Sequence, residues 1–254
     1  MYIHSIKLNK DIPPKSYLSR LPVIKNLKSM GELTFDKPIT FLVGENGIGK
    51  STLIEAIAVN FGFNPEGGTK NYSFHTKNTH STLADYITLV KSFNYAKNGY
   101  FLRAESFYNT VSYMDYLATD AENRTNDNNY FDQLIMGDAH EDSFHNMSHG
   151  ESFLDAVSKF QGSGLYIFDE PEAALSPFGI MKLMVYINSL AKQNCQFIIS
   201  THSPILISIP NSDVYQLTKE SIKKVAFNET EHYTTTRRFL ENPTKMLKYL
   251  LDEE

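Results

Sequence analysis

Apolar and polar residues alternate at the start of the chain, over residues 2–8, which is the period-two pattern of a half-buried strand. ELTF at 32–35 and PITFLV at 38–43 predict an edge strand followed by a strand that is buried on both faces. A glycine-rich turn comes next, and residues 51–63 then place apolar side chains at the spacing of a helix that packs on a sheet. The first quarter of the chain is therefore predicted to end in a strand, a turn and a helix.

The middle of the chain has weaker patterns. Residues 64–79 are rich in Gly, Asn, Thr and Ser and predict a loop. We expect a helix over 82–92, a strand over 99–107 and a polar segment over 119–146. No heptad repeat is visible, so the segment 64–147 has room for a small helical and loop lobe but not for long coiled-coil arms.

The last third alternates regularly between helix and strand patterns. The predicted elements are a helix over 151–160, a strand over 165–170, a helix over 177–192, strands over 196–201 and 213–218, and a closing helix over 236–251. Without an internal repeat or a linker, this alternation predicts an α/β fold and one domain over residues 1–254.

Composition narrows the class of protein. Hydrophobic residues make up 41% of the 254 residues and charged residues 21%, which is enough for one large core. Cys195 is the single cysteine, so no internal disulfide can form, and a reducing cytoplasm is the expected location. No apolar run approaches the ~20 residues that a bilayer-spanning helix needs, and the N-terminus has no basic cluster before an apolar block. We therefore expect a soluble protein without a membrane partner.

The net charge of −5 gives the surface no general attraction to nucleic acid. Contact with DNA or RNA would have to be local, through a partner or a groove. The basic positions available for it are Lys7, Lys10, Lys15, Lys25, Lys28, Arg237 and Arg238.

The turn before the first apolar helix carries a phosphate-binding pattern. Its residues fit G-x-x-x-x-G-K-[ST], between a buried strand and a helix as that chemistry requires: Gly44, Glu45, Asn46, Gly47, Ile48, Gly49, Lys50 and Ser51, with Thr52 next to them. Backbone N–H groups and the positive end of the helix form an anion site there. Lys50 is expected to contact the β- and γ-phosphates of ATP, and Ser51 to ligate Mg²⁺.

Two adjacent carboxylates end the strand over 165–170. The carboxyl end of a central strand delivers such groups beside a phosphate loop. Asp169 is the expected partner of Mg²⁺, and Glu170 the group that polarises the attacking water. An Asp-Glu pair on its own is commonly part of the charged surface. Together with the phosphate-binding pattern, this pair indicates a catalytic site.

A histidine follows the next predicted strand. His202 comes directly after QFIIST at 196–201 and precedes Ser203 and Pro204. At a strand end its imidazole can donate to the γ-phosphate or to the attacking water. The alternative is a histidine satisfied by loop backbone, and the strand order favours the catalytic role.

These motifs resemble those of the ABC ATPases, in GENGIGKS at 44–51, LYIFDEPEAALSP at 165–177 and STHSP at 200–204. MSHGES at 147–152 resembles the signature motif LSGGQ, with His149 in place of the first glycine and Glu151 in place of the glutamine. That form is similar to the small soluble AAA-family ATP-binding proteins of prokaryotes and their SMC-like relatives.

The resemblance covers nearly the whole chain and implies a P-loop NTPase fold with a mixed central sheet, an N-terminal antiparallel β part and a small helical lobe. It also implies a head-to-tail homodimer, in which Ser148, Gly150 and Glu151 serve the nucleotide of the opposite subunit. Residues 174–177 resemble the loop that crosses the dimer interface. Glu105 stands where the family places a glutamine that senses Mg²⁺, although surface charge explains an acidic residue there equally well.

One polar cluster allows a different interpretation. Its residues are Asp138, His140, Glu141, Asp142, His145 and His149. Their spacing fits no standard transition-metal signature, and a polar loop leading into a nucleotide-contacting helix explains them.

The leading hypothesis is an ATPase that hydrolyses ATP to ADP and phosphate in a dimer, and whose closure regulates a protein partner such as a nuclease, a toxin or a DNA-processing subunit. A nucleotide-binding subunit of an ABC transporter is the second hypothesis, against which the altered signature argues. The third is a nucleotide-gated scaffold with little turnover, which intact Glu170 and His202 disfavour.

Overall fold

A computed structural model describes residues 1–65, 67–68, 81–103, 149–160 and 162–251. The strands in these ranges are β1 (Ile3–Leu8), β2 (Glu32–Thr34), β3 (Ile39–Gly44), β4 (Ile87–Lys91), β5 (Asn98–Arg103), β6 (Gly164–Asp169), β7 (Gln196–Ser200), β8 (Ser212–Leu217) and β9 (Ile222–Val225). The α-helices are α1 (Pro22–Met30), α2 (Lys50–Phe61), α3 (His149–Ser158), α4 (Pro177–Ala191), α5 (Glu231–Glu241) and α6 (Pro243–Leu251).

The larger sheet has the strand order β5-β6-β7-β3-β8-β9. Its first five strands are parallel to one another, and β9 is antiparallel to β8. Every residue of β3, β6 and β7 is buried, as expected for central strands covered on both faces. The mixed central sheet implied by the family resemblance is therefore confirmed.

The smaller sheet is antiparallel, with the order β2-β1-β4. Together with the central sheet it encloses one apolar core, to which β1 contributes Ile3 and Ile6 and α2 contributes Leu53, Ile54 and Ile57. This sheet confirms the predicted N-terminal antiparallel β part.

A second core covers the opposite face of the central sheet. Leu42 of β3 points into the first core, whereas its neighbours Phe41 and Val43 point into the second, because successive side chains of a strand face opposite sides. Helices α3 and α4 supply Phe153, Val157, Leu183 and other side chains to the second core. As a consequence, α2 and α3 lie on opposite faces of the same sheet.

The helix predicted over 82–92 is wrong. Residues Thr82–Asp85 form one 3-10 turn, and the chain continues as β4, which pairs antiparallel with β1. Ile87 and Leu89 are buried while Thr88 and Val90 face outward, so the period is two and β-branched residues favour the strand. Residues 81–103 thus add strands to both sheets, and the helical lobe stays a prediction for the part of 64–147 outside the described residues.

Two further differences concern helices. The closing helix predicted over 236–251 is two helices, α5 and α6, which are separated at Asn242 because Pro243 cannot continue a hydrogen-bonded helix interior. Helix α1 was not predicted, although Pro22 opens it, Val23, Ile24 and Leu27 form its buried face, and a glycine ends it.

One buried amide joins the two sheets. Gln196, at the start of β7, is 1% exposed. Its Oε1 atom accepts hydrogen bonds from the backbone N–H groups of Tyr2 (2.6 Å) and Ile3 (2.9 Å), and its Nε2 atom donates to the carbonyl of Ile3 (2.7 Å). The N-terminal strand is therefore fixed to the central sheet by a polar side chain that its own apolar pattern does not reveal.

We expect Gln196→Ala to lower the free energy of unfolding by about 2–4 kcal/mol, since buried backbone N–H groups lose their acceptor. Urea denaturation measures the change. Gln193→Ala is the matched control, because Gln193 is exposed and its side-chain contacts with Ser189 are long, at 3.4 Å. Equal unfolding midpoints for the two variants would contradict a structural role for the Gln196 amide.

Candidate active site

A tight loop joins β3 to α2 and contains the predicted phosphate-binding pattern. Gly47 and Gly49 adopt φ angles of 80° and 102°, which side chains rarely tolerate. A Cβ atom on Gly49 would lie 2.6 Å from Cγ1 of Val23, whereas one on Gly47 would meet no atom within 4 Å. Gly49 thus lets the loop pack against α1, and the space beside Gly47 is open, so that a ligand can approach the backbone there.

Lys50 is the first residue of α2 and is only 4% exposed. Its Nζ atom donates hydrogen bonds to the backbone carbonyls of Gly44 (2.7 Å) and Glu45 (3.0 Å). Burial lowers the pKa of Lys50, and the negative charges of the nearby acids, Glu170 foremost, oppose that shift. The ammonium group is held at the loop by neutral carbonyls, which an anion can replace.

The carboxylate of Asp169 lies where α2, β6 and β7 meet. Its Oδ1 atom accepts hydrogen bonds from Oγ of Ser51, at 3.2 Å, and from Oγ of Ser200. Asp169 is 7% exposed, and burial raises its pKa. The oxygens of Ser51 and Asp169 are the hard donors that Mg²⁺ prefers, so the residues present fit this ion.

Glu170 follows β6 in a left-handed conformation, with φ at 52°, and its N–H donates to the carbonyl of Ser200 at 3.0 Å. A non-glycine residue with this backbone is strained, and such strain is frequent at functional sites. The Glu170 side chain is 40% exposed, so it projects to the solvent side of the buried pair of Lys50 and Asp169.

His202 lies next to Glu170. Its Nε2 atom is 3.4 Å from Oε1 of Glu170, which is close but longer than a normal hydrogen bond. The backbone N–H of His202 donates to Oε1 of Glu172 at 2.5 Å. The predicted residues Lys50, Ser51, Asp169, Glu170 and His202 are thus brought together at the carboxyl ends of parallel strands.

Sequence reasoning missed a second histidine at this site. Nε2 of His232 lies 2.9 Å from Nδ1 of His202, and the two ring centroids are 5.0 Å apart. His232 is in the first turn of α5, although the predicted helix began only near residue 236. Thr230, which caps α5, could have indicated the earlier start, but nothing local indicates the contact with His202.

Arg103 was not predicted either. It ends β5 beside Asp169 of β6, and its Nη1 atom forms an ion pair of 2.9 Å with Oε2 of Glu55 on α2. Its positive charge lowers the pKa of Asp169 and so opposes the effect of burial. Arg103 therefore adds a fixed cation to the acidic side of the site.

Part of the predicted site is not described. Glu105 and Ser148 lie outside the described residues, as do most of the polar cluster over 138–149. Gly150 and Glu151 belong to the first turn of α3, where the side chain of Glu151 is exposed. In the part of the chain that the structure describes, no three His, Cys, Asp or Glu side chains form a group that could hold a metal ion.

Three of the solved structures to which this chain is similar come from ABC transporters. A metal-chelate type ABC transporter in an inward-facing conformation has 18% identity and a TM-score of 0.49, with 92% of this chain and 88% of that chain covered. The ADP conformation of MJ1267, an ATP-binding cassette of an ABC transporter, has 15% identity, a TM-score of 0.48 and 99% and 100% coverage. A nucleotide-free ATP-binding cassette from an ABC transporter has 15% identity, a TM-score of 0.48 and full coverage of both chains.

A search of curated proteins found no match. None of the helices in the described ranges has both the length and the hydropathy needed to cross a bilayer.

The family described as RecF/RecN/SMC N terminal domain matches residues 17–225, which is most of the chain. This range includes the phosphate-binding loop, the acidic strand end and His202. The chain therefore belongs to the RecF/RecN/SMC N-terminal domain family, the SMC-like branch of the P-loop ABC-type ATPases.

Proposed function

We propose that this protein binds ATP with Mg²⁺ and hydrolyses it at composite sites in a head-to-tail homodimer, and that closure of the dimer regulates a protein partner. The observation that carries the proposal is the convergence of Lys50, Ser51, Asp169, Glu170 and His202 at one edge of the central sheet. The cytoplasm as the location stays a prediction, and so does contact with DNA or RNA through the partner or a groove of the dimer.

The loop over 44–51 would bind the phosphates. Its backbone N–H groups and the positive end of α2 favour an anion, as at other glycine-rich loops that open a helix. Lys50 would exchange the carbonyls of Gly44 and Glu45 for the β- and γ-phosphates. The exchange is favourable because a buried ammonium gains a charged acceptor in place of neutral ones.

Ser51 and Asp169 would hold Mg²⁺ at the edge of the phosphates. When bound, this ion neutralises the charge that develops on the phosphate oxygens. Burial raises the pKa of Asp169 and so disfavours its charged form, whereas a nearby dication would favour it. Ser200 keeps Asp169 in place through its hydroxyl.

Glu170 and His202 are suited to the hydrolytic step. Glu170 is the more exposed of the two adjacent acids and is free of the hydrogen bonds to Ser51 and Ser200 that hold Asp169, so its carboxylate can accept a hydrogen bond from the attacking water. His202 points Nε2 toward the same region, where an N–H group would donate to the γ-phosphate or the water.

The two faces of the sheet support the composite site. Helix α2 packs on one face of the central sheet and α3 on the other, so the phosphate loop and the signature segment precede helices that belong to different cores. Ser148, Gly150 and Glu151 would instead complete the nucleotide site of a second subunit. The start of a helix has unpaired N–H groups that suit this purpose.

We expect Lys50→Ala to abolish measurable ATP binding, a loss of about 100-fold or more, because charge-assisted hydrogen bonds to two phosphates disappear. Titration with a fluorescent ATP analogue measures the affinity. Lys182→Ala is the control, since Lys182 is exposed on α4 and lies over the ring of Phe178. Wild-type affinity in Lys50→Ala would show that the loop is not the phosphate site.

We expect Glu170→Gln to bind ATP but hydrolyse it at least about 100-fold more slowly, because the amide cannot polarise the water. The nucleotide should then trap a dimer. Light scattering with ATP and Mg²⁺ should give the mass of two chains instead of one chain of 28.9 kDa. Glu220→Gln, which changes an exposed loop acid, should behave as wild type. Turnover unchanged by Glu170→Gln would support a nucleotide-gated scaffold instead.

Adding Ser148→Arg to Glu170→Gln should prevent the trapped dimer and leave ATP binding intact, because the signature acts on the opposite subunit. Both properties are measured on one sample, by nucleotide titration and by light scattering. Ser158→Arg in the same background is the control, since Ser158 is exposed at the other end of α3. A dimer that persists with Ser148→Arg would argue against the composite site.

A further inference from the structure

The pair of His202 and His232 joins the catalytic edge of the sheet to the C-terminal helices. The residues are 30 positions apart, and their rings meet through Nδ1 of His202 and Nε2 of His232 at 2.9 Å. The planes are inclined at 62°, so the rings meet edge-on rather than stacked. This geometry is that of a hydrogen bond between two imidazoles.

A hydrogen bond between two ring nitrogens contains one proton, so one ring donates and the other accepts. Nε2 of His202 is buried and has no hydrogen-bond partner among the described residues, and the carboxylate of Glu170, at 3.4 Å, favours an N–H at that atom. With the proton of a neutral His202 on Nε2, its Nδ1 is an acceptor, and His232 must donate from Nε2. Nδ1 of His232 then carries a lone pair and no proton. This buried atom has no hydrogen-bond partner among the described residues.

The charges around the pair favour a neutral His232. Burial lowers the pKa of His232, and the neighbouring His202 and Lys50 lower it further. The acids on this side of the site, Glu170 and Glu172, contact His202 instead, one at its ring and one at its backbone N–H. His232 is therefore suited to act as a neutral hydrogen-bond donor to His202.

The first turn of α5 holds His232 in place. Thr230 is fully buried, and its Oγ1 atom accepts a hydrogen bond from the N–H of Tyr233 and donates to the carbonyl of Phe227 at 2.7 Å. The N–H of Glu231 donates to Oε1 of Gln216 on β8 at 3.2 Å. These contacts hold His232 in a fixed position relative to the central sheet, at whose edge the candidate site lies.

We propose that His232 is a positioning residue for ATP hydrolysis: it fixes the ring of His202 and keeps its proton on Nε2, facing Glu170 and the site of the γ-phosphate. The proposal rests on the proposed function. The physical basis is general, because the hydrogen bond at one nitrogen of an imidazole decides the tautomer and hence the donor offered by the other. In this protein the deciding group is a second imidazole from the C-terminal helix.

The kinetic test compares His232→Phe, which keeps the ring but removes the donor, with His232→Gln, whose amide can donate from a similar position. We expect kcat to fall by about 10-fold to 100-fold in His232→Phe, as when an orienting group is lost. His232→Gln should recover most of it, and the affinity for ATP should stay unchanged in both. His4→Phe is the control, because His4 is exposed on β1.

A double variant separates positioning from a loss of structure. If His232 acts only through His202, His202→Ala with His232→Phe should be no slower than His202→Ala alone. Equal kcat in wild type and His232→Phe would overturn the proposal, and so would two losses that simply multiply. A wild-type protein without turnover would instead overturn the proposed hydrolysis itself.

The tautomer can be read without any turnover. Long-range ¹H–¹⁵N NMR should show the Nε2–H form of His202 in the wild type and in His232→Gln, and a mixture of both forms in His232→Phe. The signals of His202 are identified by their loss in His202→Gln. An Nδ1–H form in the wild type, or the same form in all three proteins, would overturn the role of His232 even if hydrolysis is confirmed.

Discussion

The parallel register of β6, β7 and β3 is the constraint on which the candidate site depends. Parallel strands end at the same edge of a sheet, so the polar residues that follow each of them must meet there. Asp169 stands opposite Ser200 in this register, and the loop after β3 brings Lys50 and Ser51 to the same edge. A shift by one residue would turn Asp169 to the other face and separate the acid from the phosphate loop.

Burial destabilises the charged side chains at this edge of the sheet before a ligand binds. It lowers the pKa of Lys50 and raises that of Asp169, so in each case it disfavours the charged form. The fold limits the cost through the carbonyls of the loop, which accept from Lys50, and through the hydroxyls that donate to Asp169. Phosphate and Mg²⁺ would supply the missing counter-charges.

The C-terminal helices connect this edge to the outside of the molecule. Helix α5 is capped by a buried threonine and places His232 on His202, but its later residues and most of α6 are exposed. Leu240, Tyr249 and Leu250 are exposed by 71%, 75% and 68%. The C-terminal helices therefore have one end at the candidate site and a solvent-facing apolar surface, and any change in the position of α5 would move the Nε2 atom of His232 that contacts His202.

The sequence by itself determined the parts that depend on local pattern. Continuous apolar runs followed by a glycine-rich turn, by acids or by a histidine predicted β3, β6 and β7 and the polar groups at their ends, because a buried parallel strand needs apolar residues on both faces. Tertiary structure alone decided the rest. Residues 87–91 form a strand because they pair with β1. Gln196 joins the two sheets through backbone groups that are distant from it in sequence. His232 reaches His202 only because α5 starts at the end of the sheet, and no residue near His232 records that contact.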